Sequence, residues 1–310
     1  MSKIIHQNLI QSYAVITKDY IAYLIMPLML YGDLSTIISF KFSKGIHDEN
    51  VIATIMKYCL EAIVCLNNNN WFHRDIKCSN ILLDKDGSCR LGDYGVSSII
   101  KEGGNTTYVG SLCWMAPEIA LNMEYTYKID IWSLGITAIE IANGKPPYYN
   151  LSPMEFSEEA KSNRIPQLKE DHYKFSDEFK NFVKDCLIKD PNLRPSAKEL
   201  IQKHSIFLQK AKDKQYLVDK VLKGCPNLHE IYPNKLEEKD QYFVDNKSVN
   251  LMSKISSEME EELNVDEKNE EEKAEKNNPM FLGQLQRKLN KNINDLKGML
   301  NDMNEEECGE

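Results

Sequence analysis

The chain has no Cys-x-x-Cys pair and no spaced His/Cys set, although it carries eight cysteines (Cys59, Cys65, Cys78, Cys89, Cys113, Cys186, Cys225 and Cys308). That argues against structural zinc. Several of these cysteines fall inside apolar helical or strand patterns, as reduced buried cysteines do in a reducing compartment. The N-terminus, Met1-Ser2-Lys3-Ile4-Ile5-His6, lacks the apolar core of a secretory signal. Long apolar runs are missing as well. The longest stretch, Ile21 to Ile38, is interrupted by Pro27, Gly32 and Asp33, which excludes it as a membrane span. Basic charge is also short: acids outnumber bases by 47 to 38, a net charge of −9, whereas tracking nucleic-acid phosphates needs clustered Lys and Arg. What remains is a cytoplasmic or nuclear protein, with cytoplasmic the expectation, and with no nucleic-acid partner and no membrane insertion.

What is present is enough for a core. Apolar residues make up 42% of the 310 positions, ordinary for a globular domain. Two short apolar runs, Leu9 to Ile16 and Tyr20 to Met26, are separated by Thr17-Lys18-Asp19 and read as a strand hairpin ended by Pro27. From Asp48 to Asn67 the apolar residues Val51, Ile52, Ile55, Met56, Cys59, Leu60, Ile63 and Leu66 recur at helical spacing, with Asp48 as N-cap. Two strands, Ile81 to Leu83 and Ser88 to Leu91, bracket Asp84-Lys85-Asp86-Gly87, whose last glycine supplies a positive φ. Helical periodicity returns over Lys128 to Ala142 and Ser176 to Ile188. Beyond about Leu236 the composition turns to Glu, Lys, Asn and Ser, and between Glu258 and Glu275 ten acids face two lysines. Such a stretch buries too little apolar surface to offset the entropy of ordering. In the last segment Leu282, Leu285, Leu289, Ile293, Leu296, Leu300 and Met303 form a heptad-like stripe. It reads either as a pairing helix or as a plain surface helix, since Asn290, Asn294 and Gly298 weaken it.

The residues that point to chemistry are His73-Arg74-Asp75-Ile76-Lys77-Cys78-Ser79-Asn80, followed by Asp93-Tyr94-Gly95 and then Ala116-Pro117-Glu118. Taken singly, an Asp in a loop is more often a turn-former than a base. Together, in this order and with a strand hairpin between the first two, they resemble the signature of the protein kinases. The resemblance implies an α+β protein-kinase-like fold, with ATP and Mg²⁺ as cofactors and protein substrates. Residue by residue it makes Asp75 the group that orients the attacking hydroxyl and Lys77 the cation on the γ-phosphate, with Asn80 and Asp93 as metal ligands. Tyr94 stands where Phe is usual.

Lys77, two residues after Asp75, follows the Ser/Thr-kinase pattern, and Ser111 fits the hydroxyl that bridges Asp75 and Lys77. Asp130 resembles the buried helix carboxylate that holds the catalytic loop, and Arg194 resembles the partner of Glu118. The run Thr107-Tyr108-Val109-Gly110-Ser111-Leu112-Cys113-Trp114-Met115-Ala116-Pro117-Glu118 is similar to the activation segment of germinal-centre kinases of the sterile-twenty group. The stretch Phe207 to Leu217 narrows the resemblance to the SPAK, oxidative-stress-responsive and Fray branch. Thr107 is then the expected activating phosphorylation site, within reach of Arg74, which implies an upstream kinase. Met26 falls at the gatekeeper, Pro27 and Met29 at the adenine hinge, Asp33 at a ribose contact and Leu82 beneath adenine. A helix cap is an equal reading of Asp33.

The resemblance divides the chain into residues 1–30 as a remnant of the upper lobe and hinge, and 31–209 as the mainly helical lower lobe. Residues 210–235 extend the domain, 236–278 form an acidic disordered linker, and 279–304 form an amphipathic helix or short coiled coil. The sequence offers no G-x-G-x-x-G and no V-A-I-K-like strand, so about the first quarter of such a domain is expected to be missing. Three readings stay open: a Ser/Thr kinase whose given sequence starts late, a pseudokinase or binding module, and a scaffold acting through its tail. The intact set of Asp75, Lys77, Asn80, Asp93 and Ser111 favours the first.

Overall fold

Alternating and helical apolar patterns sort the chain into two units in a computed structural model, which describes residues 4–12, 14–18, 21–93, 98–99, 111–162, 164–169 and 173–231. One unit comprises residues 1–11 and 28–231, and the other includes residues 12–27. The second is a hairpin of β1 (Ala14–Lys18) and β2 (Ile21–Ile25), antiparallel with Ala14 opposite Ile25. The expected hairpin is there, but its first strand begins at Ala14. Leu9 and Ile10 are instead buried in the other unit. The Ile10 N–H donates to the Leu91 carbonyl at 2.9 Å, and the Leu91 N–H donates to Asn8 at 2.8 Å. A backbone whose polar groups are already matched there has no need of the hairpin.

The larger unit is built on helices. α1 (Leu34–Lys41) is capped by Asp33, and α2 (Glu49–Asn68) by Asp48, whose carboxylate accepts from the Asn50 N–H. β3 (Trp71–Phe72) leads into the loop of His73 to Asn80, and β4 (Ile81–Leu83) pairs antiparallel with β5 (Cys89–Leu91). Gly87 closes their turn at φ 77°, and a Cβ there would lie 2.1 Å from the Lys214 carbonyl oxygen, so only glycine fits. β6 (Ser98–Ile99) pairs with β3. There follow α3 (Pro117–Ala120), α4 (Ile129–Asn143), α5 (Pro153–Lys161), α6 (Asp177–Cys186), α7 (Ala197–Lys203), α8 (Ser205–Leu208), α9 (Lys214–Leu217) and α10 (Leu228–Ile231).

α4 is the axis of the core. Every residue from Ile129 to Ala142 is buried, which is how a helix surrounded by packed elements reads. It packs on α2 and α6, and a Cβ at Gly135 would meet Cys186 Cβ at 2.7 Å, so the glycine permits the close approach. Cys59, Cys78, Cys89 and Cys186 are buried free thiols in this core; burial pushes the Cys89 thiol up to about 12. Reactivity of these thiols is thereby suppressed.

The segment after α8 is stapled across the larger unit. Lys210 Nζ meets Glu49 at 2.6 Å, the Lys212 N–H donates to Thr54 Oγ1 at 2.8 Å and the Tyr216 hydroxyl donates to Asp48 at 2.8 Å. Lys41 Nζ caps the carbonyls of Lys220, Val221 and Lys223, and the Leu228 N–H donates to Leu30. Among the described residues no helix is long and apolar enough to cross a membrane.

Candidate active site

The loop between β3 and β4 is fixed from beneath by α4. Asp130, wholly buried, accepts the backbone N–H groups of His73 at 2.7 Å and Arg74 at 2.8 Å. Burial pushes its carboxyl up to about 6, opposed by those two donors. His73 is also wholly buried. Its Nδ1 accepts from the Asp75 N–H at 3.3 Å, so Nε2 carries the proton and donates to the Gly92 carbonyl at 2.8 Å. Burial lowers this imidazole to about 4, so it is neutral at pH 7. Arg74 takes up φ 74°, a conformation that non-glycine residues rarely adopt. Its Nη1 lies 3.3 Å from the Tyr125 hydroxyl.

Held this way, the loop presents Asp75 at the centre of a polar cluster. Lys77 Nζ lies 2.7 Å from Asp75 Oδ2 and donates to Ser111 Oγ at 2.6 Å, while the Ser111 N–H donates to Asp75 Oδ1 at 3.1 Å. Asn80 Nδ2 donates both to the Asp75 carbonyl at 2.7 Å and to Asp75 Oδ2 at 3.0 Å. Burial alone would raise the Asp75 carboxyl, but Lys77, Ser111 and Asn80 hold it below the ordinary range. It is therefore an anion at neutral pH, paired with Lys77. The Asn80 carbonyl accepts the Gly92 N–H at 2.8 Å, which ties the loop to the residue before Asp93. Asp93 is exposed at φ 58°, like Arg74 in the left-handed region.

Asn80 and Asp93 suit a hard divalent cation. With its amide nitrogen committed to Asp75, Asn80 keeps Oδ1 for a ligand, and Asp93 offers a carboxylate. Mg²⁺ bridging a nucleotide needs no more than one or two such groups and retains several waters. Among the described residues no three His, Cys, Asp or Glu side chains gather as an all-protein cage.

The remaining expected residues fall into separate places. Asp33 caps α1, accepting from the Thr36 N–H at 2.9 Å and its hydroxyl at 2.7 Å, and its backbone is bridged to Leu82. Met29 is buried and its carbonyl accepts the Gly32 N–H at 2.8 Å. Met26 and Pro27 belong to the hairpin unit, so the expected adenine set is divided between the two units. Thr107 and Tyr94 lie outside the described residues. Glu118 and Arg194 meet as expected, at 2.7 and 3.0 Å.

Three residues escaped the sequence reading. Ser133 donates to the Trp114 carbonyl at 2.8 Å and Thr137 lies 3.3 Å from the Ile76 carbonyl. Glu140 accepts from the Cys78 N–H at 3.1 Å and the Trp114 Nε1–H at 2.9 Å. With Asp130 they make one polar stripe on an otherwise apolar helix, each member gripping the catalytic loop or the segment after Ser111. Burial pushes the Glu140 carboxyl up, against those two donors. The signal in the sequence was the spacing of polar residues by threes and fours inside an apolar run.

Residues 1–206 match the protein kinase domain family. The chain belongs to that family. Among curated relatives of this kinase chain, serine/threonine-protein kinase fray2 of Dictyostelium discoideum is 40% identical over 236 residues, covering 75% of the chain and 23% of that protein. Germinal center kinase 3 of Caenorhabditis elegans is 37% identical over 251 residues, covering 74% of the chain and 42% of that protein. Serine/threonine-protein kinase ppk11 of Schizosaccharomyces pombe is 40% identical over 201 residues, 63% of each. The kinase chain thus spans between about a quarter and three fifths of the length of these relatives, all kinases of the germinal-centre type or Ser/Thr kinases by name.

Proposed function

We propose that this chain is the catalytic lobe of a protein Ser/Thr kinase that transfers the γ-phosphate of ATP to Ser or Thr hydroxyls of protein substrates. The observation that carries the reading is the cluster in which Lys77, Ser111 and Asn80 converge on the Asp75 carboxylate. In it Asp75 orients the substrate hydroxyl and takes its proton, while Lys77 balances the charge of the moving phosphoryl group. Asn80 and Asp93 would hold Mg²⁺, which supplies charge neutralisation along the triphosphate when bound. Met29, Asp33 and Leu82, with Met26 and Pro27, would frame the nucleoside, and Thr107 would be phosphorylated by an upstream kinase. Residues 1–30, 31–209 and 210–235 would be upper-lobe remnant, lower lobe and extension, with 236–278 a linker. The free buried thiols suit a cytoplasmic setting.

The test is phosphorylation of a generic Ser/Thr protein by the chain together with whatever coding sequence its transcript holds upstream of Met1. Activity that is lost in both Asp75→Asn and Asp93→Ala supports the proposal. Activity that survives both variants, or is absent from the longest open frame, assigns the fold to a binding role. The stripe over 279–304 would pair with itself or a partner helix; a peptide of that span should then gain helicity with concentration, and a constant circular dichroism signal would remove the self-pairing idea.

A further inference from the structure

Away from Asp75, the larger unit carries an open groove of about 1160 Å³. Three stretches wall it: residues 43–47 before α2, 142–151 from the end of α4 toward α5, and, between the end of α5 and α6, residues 159, 164–167, 169 and 173. Pro146, Pro147 and Pro166 stiffen two of them by fixing φ. His47 stacks on Tyr173 with centroids 5.1 Å apart, and Tyr173 meets the buried Phe175 edge-on at 4.9 Å, so this wall is anchored in the core. Large apolar side chains nevertheless remain open: Tyr149 is 47% exposed, Ile165 41% and Tyr173 40%. An exposed cluster of this kind, ringed by charge, marks an interaction surface rather than a scattered surface residue.

The charge is mainly of one sign. Among the described residues the lining holds Lys44, Lys145, Arg164 and Lys169 against one carboxylate, Glu159. Glu159 is already engaged by Arg164 at 2.5 Å and by the Tyr148 hydroxyl at 3.2 Å. That leaves the three lysines, one on each wall. Lys145 lies over the Tyr149 ring at 4.7 Å, and Lys44 and Lys169 enter no ion pair among the described residues. On a chain of net charge −9 this is a local reversal of sign, which steers an oppositely charged partner to the place where it binds.

We infer that this groove is a docking site for an extended acidic segment of a partner protein, its carboxylates meeting Lys44, Lys145 and Lys169 and an aromatic or apolar anchor resting against Tyr149 and Tyr173. A nucleic acid fits less well. Its phosphates would need cations in a row, whereas these stand on three separate loops with proline and aromatic surface between them. The inference goes beyond the phosphotransfer reading and does not depend on it, because docking here is a binding event read without ATP.

The experiment uses the full chain and a fluorescein-labelled Glu-Glu-Asp-Trp-Pro-Glu-Asp-Glu peptide, with fluorescence anisotropy as the readout. A matching peptide in which every acid is replaced by lysine serves as control. The acidic peptide should bind and the lysine peptide should not. Lys44→Glu combined with Lys169→Glu should weaken binding by about tenfold or more, as like charges then face the probe. Tyr149→Ser, which leaves the charge alone, should weaken it by about threefold through the lost anchor. All three positions are exposed, so the fold should persist, checked by circular dichroism. Equal affinity in the charge-reversed variant, or equal binding of the lysine peptide, overturns the inference. So does displacement of the peptide by a thymidine oligonucleotide of matching affinity. Self-association of the chain that the same lysine variants abolish would assign the groove to a second copy and overturn it too.

Discussion

Arg194 meets Glu118 with both arms of its guanidinium, at 2.7 and 3.0 Å, and neither side chain reaches solvent. The other donors are matched as well: Nε to the Ile188 carbonyl at 2.8 Å, Nη1 to Lys128 at 2.9 Å and Nη2 to Lys189 at 3.2 Å. All five donors of the side chain are therefore satisfied without water. Its Cζ also lies over the Trp132 ring, 5.2 Å from the centroid. The pair thus bolts the end of the activation segment to the loop before α7.

Removing one partner should be costly. Arg194→Met leaves a buried carboxylate and three carbonyls unmatched, and urea unfolding should show a loss of about 3–5 kcal/mol. Arg194→Lys should recover little of it, because an ammonium cannot supply five donors in a plane. Glu118→Gln combined with Arg194→Met should be less damaging than Arg194→Met alone. A loss below about 1 kcal/mol for Arg194→Met would show that the pair is not the anchor described.

The catalytic loop makes an opposite-signed pair of pH effects. His73 is lowered by burial from 6.5 to about 4, so between those values the unfolded chain takes up a proton that the folded chain refuses, and acidification destabilises. Asp130 is raised by burial from 3.8 to about 6, so between those values the folded chain takes up a proton first, and acidification stabilises. The two shifts are opposite in sign and similar in size, so in the native chain they should largely offset one another. Asp130→Asn should uncover the histidine: urea midpoints measured at pH 6.5, 5 and 4 should fall more steeply in the variant than in the native chain. Parallel pH slopes for the two would show that the offset does not exist.

The spacing of Asp75, Lys77 and Asn80, the Asp48 cap and the turn at Gly87 were legible because each rests on neighbours in sequence. The Asp75–Lys77–Ser111 cluster was legible only through resemblance, since Ser111 lies across the fold from the loop it completes. Ser133, Thr137 and Glu140 were not read at all. A polar residue in an apolar helix announces that it has a partner without naming it, and these partners lie between 19 and 62 positions away. The first strand was misplaced for a related reason: Leu9 and Ile10 are as apolar as a hairpin strand, and only the fold shows that β5 claims them. The groove of Lys44, Lys145 and Lys169 joins three loops that no local pattern connects.

Thr107 lies four residues before Ser111, whose N–H and hydroxyl both engage the Asp75 site. A phosphate there would carry a charge near −2 and could pair with Arg74, ordering the segment that positions Ser111. In an active chain extended upstream, Thr107→Ala should cut activity at least about tenfold after incubation with the upstream kinase. Thr106→Ala is the control for its neighbour. Full activity in Thr107→Ala would remove the assignment.

Residues 1–310 expressed alone should transfer no phosphate above background, whereas a chain that also supplies a glycine-rich loop and a strand lysine should. The sequence holds neither element, and in this family they keep the triphosphate in line with the attacking hydroxyl. Loss of one preorganised electrostatic contact lowers a rate by about 10²–10³, and here the whole set over the phosphates is in question. On the proposed roles Asp75, Lys77 and Ser111 would not replace it, because they would act at the acceptor hydroxyl and the γ-phosphate and not along the α- and β-phosphates. Asp33 cannot either, because a carboxylate offers only acceptors and negative charge to an anionic triphosphate. A contaminating kinase would mimic success, so Asp93→Ala is purified and assayed in parallel. Should residues 1–310 phosphorylate a generic Ser/Thr protein, with Asp93→Ala abolishing it, then the lower-lobe cluster of Asp75, Lys77, Asn80 and Asp93 suffices to hold the nucleotide, and the elements above it matter less than their chemistry suggests.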